Sequence, residues 1–136
     1  MSDINDFIIE DGVLTKYVGQ GGDIVIPDGV IKIGSWGLSK CRNLTSITIP
    51  DSMTSIGEFA FYGCNKLVNI FVSEQNSVYR SIDGNLYTKD GKTFVLYAKG
   101  KCDNYFSVPN HVTMIDREAF LTCDNLESII LPNSII

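Results

Sequence analysis

The feature that most constrains this chain is an internal repeat marked by its prolines. Each of the four prolines follows an aliphatic residue and precedes Asp or Asn; they are Pro27, Pro50, Pro109 and Pro132. Successive prolines lie 23, 59 and 23 residues apart. Three cysteines repeat the spacings of 23 and 59: Cys41, Cys64 and Cys123. Agreement between two independent residue types predicts a fold built from stacked, equivalent units.

The repeat divides the chain into units that start three residues before each proline. A length of 136 residues fits a single domain, and we predict one solenoid domain over 1–136. Its units are a cap at 1–23, two regular coils at 24–69, a long irregular coil at 70–105, a regular coil at 106–128 and a partial coil at 129–136.

Alternation within each unit indicates a short strand. Ile47 and Ile49 point to one side of such a strand and Thr48 to the other, and Pro50 ends the strand because proline cannot donate to a continuing ladder. One coil is too small to bury its apolar residues, so coils must stack into a parallel sheet about 4.8 Å apart. We therefore predict a mainly β solenoid with short turns or 3-10 helices. The predicted core rows are Ile24, Ile47, Ile70, Phe106 and Ile129, beside Ile26, Ile49, Val72, Val108 and Leu131.

Two segments depart from the regular unit and carry hairpin signals. Asp11-Gly12 and Asp83-Gly84 each stand between short apolar runs, which is the pattern of a tight β-hairpin. The first predicts a hairpin at residues 7–17 that covers the N-terminal end of the stack. The second, with a further turn at residues 89–92, predicts a three-stranded meander inserted in the long coil.

The consensus I-x-I-P-x-x-V-x-x-I-G-x-x-A-F-x-x-C-x-x-L, best seen from Ile47 to Leu67, resembles the BspA-like leucine-rich repeat family over about residues 7–136. The resemblance implies a right-handed β-solenoid from bacteria of animal-associated habitats or parasitic protists, with a role in adhesion on the cell surface or after secretion. The family motif contains no catalytic residues. The first six residues do not match a signal peptide, so the chain as written would be cytoplasmic or a fragment of a longer protein.

Composition excludes several kinds of function. A formal net charge of -5 and a pI near 4.7 argue against nucleic-acid binding, and no apolar run is long enough to cross a membrane. Because the chain has one histidine, His111, it cannot form a metal site that needs two histidine ligands. We predict no catalytic residue, cofactor or metal. The cysteines of the repeat are interpreted as inward-facing reduced thiols, with Cys102 outside their row.

The outward row of the predicted sheet is the candidate site. It has apolar residues where a solvated face should be polar, and the candidate partner-binding residues are Val25, Thr48, Phe71, Tyr105 and Ile130. We predict that they bind another protein. Two alternatives stay open: the residues are scattered surface hydrophobes on a passive spacer, or the chain is a carbohydrate-binding adhesin that uses Trp36 and surface tyrosines.

The last unit predicts a second kind of contact. It ends partway through a coil and is rich in apolar residues, namely Ile129, Leu131, Ile135 and Ile136. Because an open solenoid end offers unpaired backbone groups to other strands, we expect this end to be covered by further sequence, by a neighbouring chain or by self-association.

Overall fold

Short strands joined by tight turns form successive coils in the computed structural model, which describes residues 4–136. The start of the predicted cap, residues 1–3, lies outside that range. A 3-10 turn at Ile4–Asp6 precedes the first strand, and no α-helix occurs within residues 4–136. The strands are β1 Phe7–Glu10, β2 Val13–Tyr17, β3 Gly22–Val25, β4 Lys32–Ile33, β5 Leu44–Ile49, β6 Ser55–Ile56, β7 Asn69–Val72, β8 Tyr79–Ile82, β9 Asn85–Thr88, β10 Thr93–Leu96, β11 Tyr105–Ser107, β12 Met114–Ile115 and β13 Ser128–Ile130.

The main parallel sheet has the order β3-β5-β7 and the register that the repeat predicts. Ile24 lies opposite Ile47, and Ile47 lies opposite Ile70. All three side chains are buried, as expected for residues that alternate with outward-facing ones along a strand. The mainly β solenoid is therefore confirmed, with coils stacked at 23-residue intervals through this sheet.

A second sheet runs along the other edge of the coils, in the order β1-β2-β4-β6. Its first two strands form the N-terminal hairpin, in which Asp11 and Gly12 both have positive φ, at 52° and 79°. Positive φ at two successive residues is the geometry of a tight hairpin turn. From β2 onward the strands pair in parallel, so the hairpin is continuous with the stacked coils.

Turns on the far side of the coils are also joined by backbone hydrogen bonds. The amides of Trp36 and Leu38 donate to the carbonyls of Glu58 and Ala60, at 3.0 and 2.9 Å. The backbones of the two coils approach each other too closely at Gly57 for a side chain to fit between them. A Cβ on Gly57 would lie 2.5 Å from the backbone nitrogen of Ser35. The consensus glycine at this position therefore lets two coils touch through their backbones.

The long coil interrupts both parallel ladders. Its meander forms a separate sheet of order β12-β10-β9-β8, in which β10 pairs with β12 and not with β6. The last two strands of the main face, β11 and β13, form their own two-stranded sheet. Stacked coils would share one continuous core, but the buried residues fall into two clusters, one around Ile47 and one around Phe94.

The predicted core rows also fail near the C-terminal end. Val72 and Phe106 are half-buried, Ile129 is exposed, and 55% of the Leu131 side chain is accessible. In residues 4–136, β13 pairs with β11 on one side and with no strand on the other. Within residues 4–136 no coil stacks on that side of β13, so its inward-facing side chains are left accessible, which explains the difference.

Asn76 joins the long coil to the coil before it. Its side chain is fully buried, and its amide nitrogen donates to the carbonyls of Pro50 and Met53, at 2.8 and 3.0 Å. Its Oδ1 accepts from the amides of Val78 and Tyr79, both at 2.8 Å. This one side chain completes four backbone hydrogen bonds at the point where the regular repeat ends.

Replacing Asn76 with alanine should destabilise the protein strongly. Asn76→Ala leaves buried amides and carbonyls without partners, and we expect the free energy of unfolding to fall by about 3 kcal/mol or more. The matched control is Asn110→Ala at an exposed turn, with an expected loss below about 0.5 kcal/mol. Chemical denaturation measures both, and equal losses would contradict the role assigned to Asn76.

The four cysteines are all free thiols, in different surroundings. Cys64 is buried and its thiol donates to the Leu38 carbonyl at 3.0 Å, Cys41 and Cys123 are half-buried, and Cys102 is exposed. Contact with the Cys64 side chain lowers the pKa of Cys41, and the same contact together with burial raises the pKa of Cys64. Burial raises the pKa of Cys123 to about 11. Only Cys64 is as buried as the repeat predicts.

These surroundings predict an order of alkylation by iodoacetamide at about pH 8, since the thiolate is the reacting form. Cys102 should react first because it is exposed, and Cys64 last. Between the two half-buried thiols, Cys41 should react before Cys123 because its pKa is lowered and that of Cys123 is raised. Peptide mass spectrometry over time gives the order, and modification of Cys64 as fast as Cys102 would refute this description of the core.

Candidate functional site

Three of the predicted partner-binding residues form one row on the outer face of the main sheet. Val25 lies opposite Thr48, and Thr48 lies opposite Phe71. We call these three residues the outer strip. Val25 and Phe71 are 58% and 47% exposed, and Thr48 between them is half-buried. Alternation along each strand fixes their outward direction. Each of the three follows a buried isoleucine, whose side chain points to the other face of the sheet.

The other two predicted residues lie elsewhere. Tyr105 and Ile130 are exposed, but they belong to the sheet of β11 and β13, where Tyr105 lies opposite Ser128 and Ile130 opposite Ser107. No pairing joins β7 to β11 within residues 4–136. The prediction of one continuous row is therefore wrong, because the meander of the long coil stands between the two parts.

A fixed carboxylate lies beside the outer strip. Asp23 precedes Val25 by two residues, and its Oδ1 accepts hydrogen bonds from Thr45 Oγ1 at 3.0 Å and Ser46 Oγ at 2.7 Å. These bonds, led by the one from Ser46, lower the pKa of Asp23. The outer strip thus combines apolar side chains with an oriented negative charge at one end, a combination suited to recognising a protein surface.

An aromatic cluster projects from the turns on another side of the coils. The Trp36 ring stacks on Phe59 with centroids 4.8 Å apart, and the edge of Tyr62 meets both rings at 5.6 and 6.2 Å. Trp36 is exposed. Trp36 and Phe59 occupy equivalent positions and both have positive φ, at 64° and 56°, which is uncommon for bulky residues.

A cleft of about 330 Å³ was not predicted from the sequence. It lies between the turn at 56–62 and the turn at 116–121, with the meander strands as its floor. Lys99 lines it and is only 5% exposed. Its Nζ donates to Thr122 Oγ1 at 3.1 Å, and burial lowers its pKa. The only signal in the sequence is the 36-residue length of the long unit, which interrupts the regular stacking.

No three His, Cys, Asp or Glu side chains of residues 4–136 are grouped so that they could hold a metal ion. None of these residues belongs to a helix long and apolar enough to span a membrane.

Comparison with known proteins agrees with this geometry. The family model described as "BspA type Leucine rich repeat region" matches six copies, over residues 17–91 and 92–136. No curated protein sequence matches the chain.

Several solved structures share the fold. The pneumococcal vaccine antigen PcpA is 21% identical with a TM-score of 0.67, over 83% of this chain and 34% of that one. A leucine-rich cell surface protein from Faecalibacterium prausnitzii is 27% identical with a TM-score of 0.59, over 88% of this chain and 35% of that one. A leucine-rich repeat protein from Bacteroides ovatus is 29% identical with a TM-score of 0.53, over 95% and 39%. The chain thus spans little more than a third of each, and it belongs to the BspA-type leucine-rich repeat family.

Proposed function

We propose that this chain is a non-catalytic module that binds another protein through its outer strip, in adhesion or a related surface interaction. The observation that supports this most directly is the exposure of Val25 and Phe71 on a rigid parallel sheet. Large apolar side chains held in water are costly, and covering them yields roughly 25 cal/mol for each Å² removed from solvent. A partner with a complementary apolar surface would gain this energy without reorganising the sheet.

The relatives support a location for this interaction. The protein from Faecalibacterium prausnitzii is described as a cell surface protein, and PcpA as a vaccine antigen. Repeat solenoids commonly present one extended face to partners. We infer that this chain also acts at a cell surface or after secretion, where its partner would be a protein of the same surface or of a host.

A carbohydrate ligand is the second candidate, and the aromatic cluster favours it. The exposed Trp36 ring, stacked on Phe59, offers a flat apolar surface of the kind on which a sugar ring can lie. The third possibility, a passive spacer, would use neither surface. The three differ in which substitution removes the activity.

Substitution of the outer strip tests the main proposal. The immobilised chain is screened by surface plasmon resonance against purified cell-surface proteins and a glycan panel. For a protein that binds saturably, Phe71→Ala and Val25→Ala should each weaken the affinity about tenfold or more, because central apolar contacts dominate binding energy. The control Val18→Ala removes an exposed aliphatic residue outside the outer strip and should leave affinity unchanged.

The other outcomes separate the alternatives. Loss of binding in Trp36→Ala but not in Phe71→Ala, with glycans as ligands, would replace the proposal with carbohydrate adhesion. No saturable binding to any protein or glycan would indicate a spacer, and binding that is unchanged in all of these variants would place the site on another surface. Circular dichroism of each variant checks that the solenoid is intact.

We also propose that two copies of this chain associate through β13, which pairs only with β11 within residues 4–136; further sequence or a different neighbouring chain are the alternative ways of covering this edge. Its neighbourhood exposes Ile129, Ile130 and Leu131, and an uncovered strand edge with apolar flanks is a template for pairing. Sedimentation velocity should show a concentration-dependent dimer.

Leu131→Lys should shift that equilibrium toward monomer, because a charge at a strand edge opposes pairing. Val18→Lys, at an exposed aliphatic residue far from β13 in sequence, is the control and should leave the dimer in place. A wild-type chain that stays monomeric across a wide concentration range would exclude this mode of association.

A further inference from the structure

The cleft marks the place where the backbone hydrogen bonds between turns are broken. Between the first two coils, alternate amides donate to carbonyls of the next coil, as from Trp36 to Glu58 and from Leu38 to Ala60. At the next interface the Phe59 amide, equivalent to that of Trp36, donates instead to the carboxylate Oε1 of Glu118 at 2.8 Å. An oxygen of a side chain therefore takes the place of the missing backbone carbonyl.

The next amide in the same row has no such substitute. The Phe61 amide, equivalent to that of Leu38, makes no hydrogen bond to any atom of residues 4–136. Phe61 lines the cleft, and so does Ile56 of strand β6, which is the unpaired edge of its sheet. Buried backbone donors are normally paired, so this edge is suited to an acceptor from outside the chain.

Lys99 brings a buried cationic donor to the same place. It is the counterpart in the long coil of Lys40 and Thr122, and its only hydrogen bond within residues 4–136 goes to Thr122 Oγ1. A buried ammonium has three donor protons and strongly favours an anionic partner. The apolar walls around it, which include Leu86, Leu96 and Leu121, exclude water and strengthen such a pairing.

Charged residues at the mouth of the cleft are mostly negative, in contrast to the Lys99 ammonium inside it. Glu58 and Asp116 are exposed and Glu118 is half-buried, whereas Arg117 is the one cationic group beside them. The most buried charge of the cleft is therefore the Lys99 ammonium, which also interacts with the carboxylates of Glu118 and Asp124, and the rim is mostly negative. A complementary ligand carries a carboxylate at its centre and positive charges on either side.

We propose that the cleft binds an extended segment of another protein in which an acidic residue is flanked by apolar and then basic residues. The segment adds to the open edge at β6, its acidic side chain pairs with Lys99, and one of its carbonyls accepts from the Phe61 amide. Its basic residues lie against the rim. A volume of about 330 Å³ accommodates the central residues of such a segment, at the small end of ligand pockets. This site is separate from the outer strip and does not depend on it.

A labelled peptide of matched design tests the proposal by fluorescence anisotropy. The probe is acetyl-Lys-Val-Glu-Val-Lys-amide, compared with a version that has Gln at its centre and with the charge-reversed Glu-Val-Lys-Val-Glu. With the wild-type chain, the Gln peptide should bind about tenfold or more weakly than the Glu peptide, since hydrogen bonds between charged groups are the strong ones. The charge-reversed peptide should not bind measurably. These comparisons need no protein variant.

Lys99→Met then removes the ammonium and keeps most of the apolar stem. It should abolish the preference for Glu over Gln, whereas Lys92→Met, at an exposed lysine outside the cleft, should keep it. Equal binding of the Glu and Gln peptides, no binding of the Glu peptide up to millimolar concentration, or an unchanged preference in Lys99→Met would each overturn the proposal. Since the readout depends on Lys99, such a failure would leave the proposal for the outer strip unaffected.

Discussion

Hydrogen bonding between equivalent strands of successive coils is the constraint on which the rest of this structure depends. Each coil buries too few side chains to be stable alone, so its strand must pair with a copy of itself 23 residues away. That pairing places Ile24, Ile47 and Ile70 in one buried row and Val25, Thr48 and Phe71 in one outward row. The same ladder therefore produces both the core and the surface to which we assign binding.

The long coil shows what happens when the ladder is broken. Because β10 pairs with β12 and not with β6, the turns on either side of it are no longer joined by their backbones. Glu118 and Asn76 take over part of the pairing with side-chain atoms. The Phe61 amide, which they leave unpaired, and the buried Lys99 ammonium lie in the same cleft. A local irregularity of the repeat thus creates a site whose chemistry differs from that of the regular coils.

Sequence reasoning was most successful where structure depends on local or strictly periodic signals. The register of the main sheet follows from proline and cysteine spacing, and the two hairpins follow from Asp11-Gly12 and Asp83-Gly84, whose φ values are positive. The sequence-based predictions were wrong where the outcome depends on which strand pairs with the inserted meander. Nothing local to Phe71 reveals that β11 does not continue its sheet, and nothing local to Leu131 reveals that it is exposed. The burial of Lys99 depends on the same long-range choice.

The division of the interior into two clusters has a consequence for how the molecule comes apart. The larger one is mainly aliphatic and includes Ile47, whereas the smaller one is rich in rings, with Phe94 stacked on Phe120 at 5.1 Å. Cooperative units of a protein correspond to contiguous packing, and each opens with its own free energy. Strands β9 and β10 carry residues of both clusters, since Leu86 and Leu96 belong to the larger one and Tyr87 and Phe94 to the smaller. The meander therefore ties the two clusters together, and amides of the C-terminal strands beyond it are expected to exchange before those of the main sheet.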